Sequence, residues 1–315
     1  MNIKLIYVLQ VHSNFPGKWA NNFQVFKMCS AFSKCGIETT LLATNTNKGK
    51  RRYLNFKDTI WEYYGVNNRF NIDWINFNYP NIKFKQFFHG LVSSMKLRNK
   101  TFSIIYTRSE WVAIFSSILT QKKIVLELHN FKNTFPQKII AKLSKINNDI
   151  NVVSITKALK KELINYGFNK NVIVAHDAVD LDMFNININP KHLKNYYGIQ
   201  NSNPIITHVG SIRKGRGFKT IVGTAKRMKN CSFVFVCGHE EDIKIIDRQK
   251  NKKISNIIFI DFLPNSKIPE VLKMSDILLM SYTSDLETLR FTSPLKMFEY
   301  MASKKPIISS DFPVL

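Results

Sequence analysis

Ser293-Pro294-Leu295-Lys296, followed by Glu299, is the densest grouping of chemically capable residues in this 315-residue chain. Ser293 reads as an N-cap and Pro294 as the first helical residue. The amides of Leu295 and Lys296 then point out of a helix N-terminus, an anion site that suits a diphosphate. Glu299 follows Leu295 by four residues and shares its helix face, where two carboxylate oxygens suit the paired hydroxyls of a ribose. The same stretch also reads as a capped surface helix with Leu295, Phe298 and Met301 packed inward. A second grouping is Val209-Gly210-Ser211-Ile212-Arg213-Lys214-Gly215-Arg216-Gly217, in which glycines let the backbone approach phosphate. Gly215 and Gly217 lack the third glycine of a dinucleotide fingerprint. His129 ends the apolar run Ile124 to Leu128, and Arg108 and Glu110 end the run through Tyr106. They read as hydrogen-bonding groups at the carboxyl ends of strands, or as a packed histidine and a surface ion pair. Asp180-Leu181-Asp182 has the spacing of a cation-binding pair, but in a turn-rich stretch where turn and capping roles suit it better, and no required metal is expected.

Elements that position these residues follow from the apolar pattern. Strands are expected near Ile3 to Leu9, Glu38 to Ala43, Ile104 to Tyr106, Ile124 to Leu128, Val152 to Ile155 and Val172 to Ala175. A second series is expected near Ile205 to Val209, Phe233 to Val236, Ile257 to Ile260, Ile277 to Met280 and Pro306 to Ser309. Stretches of helical period lie between them; Gln24 to Lys34 carries Val25, Met28, Cys29 and Phe32 on one face. Alternating strand and helix means parallel sheets, so the fold class is α/β: two Rossmann-like, doubly wound domains facing across a cleft. Residues 1–175 form the first domain, the Asn-rich residues 176–190 a linker, and 191–315 the second domain.

The composition narrows the class. With 44% hydrophobic and 22% charged residues, the chain is neither disordered nor fibrous. The net charge is +24, and residues 1–150 hold 22 basic and 7 acidic side chains, so the first half is the more basic. This field suits an anionic membrane surface, a phosphorylated lipid or a polyanion, though no nucleic-acid motif accompanies it and nucleic acid is the less expected partner. The cysteines Cys29, Cys35, Cys231 and Cys237 show no C-x-x-C spacing and read as reduced buried thiols. The opening apolar run meets Gln10 and His12 too soon for a signal peptide, and no run of about 18 apolar residues occurs. A cytoplasmic location, with peripheral contact at the inner membrane face, is the expectation.

Val209 through Gly217, Ser293-Pro294-Leu295-Lys296-Met297-Phe298-Glu299-Tyr300-Met301-Ala302 and Lys305-Pro306-Ile307-Ile308 together resemble the donor domain of family-4 retaining glycosyltransferases, which have the GT-B fold. Looser matches are Asn21-Asn22 before the first helix, Tyr106-Thr107-Arg108-Ser109, Glu127-Leu128-His129, and Ala178-Val179-Asp180 through Phe184. The resemblance implies a hexosyl transfer, without metal or cofactor, from a nucleotide-sugar donor to a glycan or lipid-linked acceptor of an envelope or capsule. It implies donor contacts from Gly210, Ser211, Arg216, Ser293, Pro294, Leu295, Lys296 and Glu299, with Lys214 as the alternative to Arg216. His129 corresponds to a catalytic histidine, and Asn22 and Arg108 to acceptor contacts. Two positions depart from the pattern: Ser211 stands where an arginine is usual, and Phe291 where the first of two glutamates is usual. Alternatives are a polyanion- or nucleic-acid-binding protein and a GT-B nucleotide-sugar epimerase. The family continues with further strand and helix beyond Asp311 to Leu315, so the second domain is expected to be incomplete, and a longer chain is expected to melt higher.

Overall fold

The computed structural model describes residues 3–11, 15–17, 19–45, 60–76, 84–199, 203–238, 240–250 and 254–315, so His12 of the opening run lies outside the described residues. The chain divides into two compact units, Met1–His176 and Asp177–Leu315.

The first unit is a seven-stranded sheet of β1 (Lys4–Val8), β2 (Glu38–Asn45), β3 (Asn71–Asn76), β4 (Ile104–Thr107), β5 (Lys123–Leu128), β6 (Ile150–Ser154) and β7 (Ile173–Val174). The spatial order is β3-β2-β1-β4-β5-β6-β7, with every pairing parallel. The order reverses between β1 and β4, the switch point beyond which doubly wound sheets hold their ligands. Five of these strands sit in largely buried apolar runs, as the sequence pattern requires, while β7, at the other edge of the sheet, leaves Ile173 exposed. β3 was not expected, because its sequence, Asn-Ile-Asp-Trp-Ile-Asn, alternates too weakly; it is an edge strand with one neighbour, so half the usual apolar cover suffices.

Helices α1 (Ala20–Lys34) and α2 (Ile60–Tyr63) cover one end of this sheet, and their core is aromatic: Phe26, Tyr64 and Phe70 pack around Phe15 and Tyr7. The helix α1 begins four residues earlier than expected, so Asn21 and Asn22 lie in its first turn rather than before it. The further helices are α3 (Lys85–Arg98), α4 (Glu110–Leu119), α5 (Phe135–Ile146) and α6 (Lys157–Tyr166).

The second unit has β8 (Ile205–Val209), β9 (Ser232–Val236), β10 (Ile257–Ile260), β11 (Ile277–Met280) and β12 (Ile307–Ser309) in the order β10-β9-β8-β11-β12, again all parallel. Both of its faces are covered. Along β9, Phe233 and Phe235 join Ile206 and Phe218 in one core, whereas Val234 and Val236 join Val209, Met280 and Tyr300 in the other. Around the sheet stand α7 (Pro190–Tyr196), α8 (Phe218–Arg227), α9 (Glu240–Lys250), α10 (Ile268–Met274) and α11 (Leu295–Ala302). Residues 177–190 bring Val179, Met183, Phe184 and Ile188 to this unit's core.

The turn from β8 to α8 demands glycine at Gly217, which has φ +71°, and a Cβ there would lie 1.6 Å from the carbonyl oxygen of Ser281. Gly217→Ala is expected to cost about 3 kcal/mol, from backbone strain plus a forced shift of β11's exit. Gly210, at φ +108° but with nothing within 4 Å of a Cβ, is expected to lose only about 1 to 2 kcal/mol as Ala. Equal thermal unfolding of the two variants would refute the packing argument.

Candidate functional site

Beyond the carboxyl ends of β1, β4 and β5 lies a cavity of about 720 Å3, bounded by Gln10, Asn21, Asn22, Arg108, Glu110 and His129 among others. Its floor is a buried charge cluster centred on Glu127, which is 4% exposed near the end of β5. Glu127 Oε1 forms an ion pair with Arg108 Nη2 at 2.8 Å and accepts from His129 Nε2, and its Oε2 accepts from the Tyr106 hydroxyl. Arg108 is fixed twice more: its Nη1 donates to Asn21 Oδ1 at 2.7 Å, and its carbonyl accepts from Gln10 Nε2 at 2.7 Å.

Electrostatics set the protonation states. Burial pushes the Glu127 carboxyl up, but His129, Arg108 and Tyr106 outweigh it and hold the carboxyl down at about 2. Burial, then the neighbouring Arg108 charge, lowers the pKa of His129 despite its bond to Glu127. A neutral imidazole beside a carboxylate must donate from Nε2, because carboxylate oxygens only accept, and its Nδ1 is therefore an acceptor. Glu110, at the start of α4 after the N-cap Ser109, is raised by burial, with Gln137 Nε2 donating to it at 3.0 Å. The cavity thus holds a neutral imidazole and a carboxyl that protonates more readily than usual.

In the second unit the groups converge at the ends of β8 and β11 and the start of α11. Arg216 and Lys296 both lie over the ring of buried Tyr282, at 4.9 and 5.0 Å from its centroid. Neither makes an ion pair among the described residues. Lys296 Nζ donates to the carbonyl of Val209 at 3.5 Å. Burial, then repulsion from Arg216, draws its ammonium down to about 7, with Glu299 opposing. Two cations beside the unpaired amides of a helix N-terminus make an anion site. Glu299 stands one turn further along α11, its Oε1 accepting from Asn265 Nδ2 at 3.0 Å.

One residue locks this arrangement: the Tyr300 hydroxyl accepts from the amide of Val209 at 2.9 Å and donates to the Leu279 carbonyl at 3.4 Å, joining α11 to β8 and β11. Within the glycine-rich loop, Ser211 Oγ donates to Asp242 Oδ1 at 3.0 Å and accepts from Arg213 Nε at 2.9 Å. Ser211 is therefore engaged in holding the loop. Lys214 is exposed, whereas Arg216 points to Tyr282.

Three details differ from the sequence reading. Ser293 does not cap α11; Pro294 holds that position, and Ser293 Oγ accepts instead from the amide of Asp177 at 3.1 Å. Asp177 lies far away in sequence, so no local pattern announces it. The inward residue of α11 is Tyr300, fully buried, while Met301 is 60% exposed. Arg108 pairs with buried Glu127 and not with Glu110 at the surface. Sequence reasoning also passed over Glu127, Tyr106, Tyr282 and Asn265 as site residues. A glutamate interrupting the apolar run of β5 is the signal available for Glu127; Tyr282 and Asn265 carry none.

Residues 191–315 match the family model for glycosyl transferases group 1. No curated protein matches the chain. Among solved structures, a glycosyltransferase from Rickettsia africae is 16% identical, with a TM-score of 0.72 over 98% of this chain and 79% of that one. HepE of Anabaena, solved with UDP and glucose, is 14% identical at a TM-score of 0.68 over 98% and 80%. A UDP-GlcNAc 2-epimerase from Methanocaldococcus jannaschii is 15% identical at a TM-score of 0.60 over 98% and 83%. The fold is the two-domain α/β fold of GT-B enzymes.

Proposed function

We propose that this protein is a glycosyltransferase that moves a hexosyl group from a nucleotide-sugar to a glycan or lipid-linked acceptor of an envelope or capsule, with retention and without a metal. The observation that carries the reading is the meeting of Arg216, Lys296 and the first turn of α11 at the switch point of the second sheet, with neither cation in an ion pair among the described residues. The match of this same unit to a glycosyl transferase family model supports it. A sugar-bound diphosphate gains negative charge as the bond from the anomeric carbon to its β-phosphate oxygen breaks. Arg216, Lys296 and the amides of Leu295 and Lys296 stabilise that charge. Gly210 leaves space for the approaching phosphates, and Glu299, oriented by Asn265, accepts from the ribose hydroxyls.

On the acceptor side, Nδ1 of His129 takes a hydrogen bond from a sugar hydroxyl while Glu127 holds the ring. Asn22 and Arg108 shape the cavity wall, whose amides and the indoles of Trp19 and Trp111 suit a saccharide. The protein works in the cytoplasm. An epimerase, the alternative favoured by one structural neighbour, acts on the nucleotide-sugar alone and has no use for this second cavity.

Calorimetric titration with UDP, ADP and GDP and their sugars tests the reading; a polyanion-binding protein would retain heparin and ignore all of them. Glu299→Gln keeps the side-chain size but loses the charge, and is expected to weaken nucleotide-sugar binding by about 1.5 to 3 kcal/mol. Unaltered donor binding by a folded Glu299→Gln protein would remove the ribose role.

A further inference from the structure

Helix α4, Glu-Trp-Val-Ala-Ile-Phe-Ser-Ser-Ile-Leu, is apolar nearly all round. Such a helix is normally enclosed on every side, yet Ile118 is 68% exposed. Its neighbours share the anomaly. On α3 and the residue before it, Phe84, Phe88 and Met95 fall on one stripe at spacings of four and seven residues and are 69, 41 and 59% exposed. On α5, Phe135 and Ile146 lie on one stripe and are 67 and 80% exposed.

Ring contacts tie α3, α4 and α5 together near their N-termini. Gly90 of α3 lets the helices approach so closely that a Cβ there would lie 2.7 Å from Trp111. The ring of Phe87 lies 5.4 Å from Phe88 and 4.9 Å from Trp111, and Trp111 lies 6.2 Å from Phe135. An exposed aromatic face of this extent calls for a partner.

Charge selects the partner. Between Phe84 and Ile146 stand 11 lysines and arginines and only two carboxylates, Glu110 and Glu127. Neither carboxylate is exposed; Glu127 is spent on Arg108, and Lys96 and Lys100 pair with Asp73, so eight of the 11 cations stand outside these pairs. Lys138 and Lys142, both exposed, flank the α5 stripe. A second copy would set this basic region against itself, whereas an anionic bilayer offers negative headgroups to the lysines and an apolar boundary to the aromatic rings.

From this pairing we infer that the α3–α4–α5 face is a docking surface for an anionic lipid bilayer. Among the described residues no helix is long and apolar enough to cross a membrane, so the contact is made at the surface. Trp111 and Pro136 belong to the cavity wall as well, so docking sets the cavity mouth beside the lipid headgroups. That consequence, delivery of a lipid-linked acceptor from the bilayer, rests on the glycosyl-transfer reading; the docking does not.

The test is co-sedimentation of the full chain with phosphatidylcholine vesicles, with and without a quarter of phosphatidylglycerol, at 0.1 and 0.5 M salt. Binding is expected only with the anionic lipid, weakened but not abolished by salt. Phe88→Ser with Phe135→Ser is expected to lower it at least tenfold at an unchanged melting temperature, and Phe88→Trp with Phe135→Trp to preserve it. Equal binding by the serine variant would overturn the inference. So would concentration-dependent dimers of the natural chain that the serine variant abolishes while neither protein sediments with vesicles. Calorimetric donor binding, measured in parallel without lipid, reads the glycosyl-transfer proposal separately.

Discussion

Glu127→Ala is expected to destabilise the first unit by about 3 to 5 kcal/mol, the largest loss among single substitutions in the cavity. The reason is desolvation. Arg108 is 6% exposed, and its charge is matched inside the protein by the Glu127 carboxylate, which also receives bonds from Tyr106 and His129. Removing the carboxylate leaves a buried guanidinium without its counter-charge and frees the imidazole to rotate. Urea unfolding followed by the first unit's tryptophans measures the loss, and Arg108→Leu added to Glu127→Ala is expected to recover a large part of it. His129→Ala differs because that side chain is more open: it is expected to keep the fold, to leave donor affinity unaltered and to depress turnover steeply. A Glu127→Ala protein within 1 kcal/mol of the natural one would show that the cluster is not an internally balanced charge system.

Lys296→Gln is expected to weaken nucleoside diphosphate binding by about 1.5 to 3 kcal/mol, roughly 10- to 150-fold, and to reduce turnover further, because charge on the leaving diphosphate is greatest in the transition state. The natural protein carries a pH signature of the same interaction. With its pKa drawn down to about 7 by burial and Arg216, Lys296 is charged below neutrality and increasingly neutral above it. A bound anion favours the charged form, so binding takes up a proton. Affinity is then highest below pH 7 and falls as the pH rises, by up to about tenfold per unit, until the pKa of the complex is passed. Titrations with UDP from pH 6 to 9, in buffers of different ionisation enthalpy, read both the slope and the proton. Lys296→Arg is expected to bind without the slope, since a guanidinium does not titrate there. A flat profile for the natural protein would detach Lys296 from the phosphates.

The sequence by itself determined the parallel sheets, because a strand buried on both faces must be written as a near-continuous branched apolar run, and β8 to β11 are written that way. It also determined helix α11 with Lys296 and Glu299 on it, since helical spacing is local and four residues make a turn. What lay beyond it were contacts between residues distant in the chain. Glu127 reads as a flaw in an apolar strand until pairing of β4 with β5 brings Tyr106 and Arg108 to it. Ser293 reads as a cap until Asp177 supplies an amide, and Met301 as an inward residue until packing buries Tyr300 instead, its hydroxyl meeting β8 and β11. The exposed aromatic face carries the same lesson. An apolar helix predicts burial, and only the packing of α3, α4 and α5 decided that part of their apolar surface stays open, because whether a face is covered depends on neighbours that local spacing does not name.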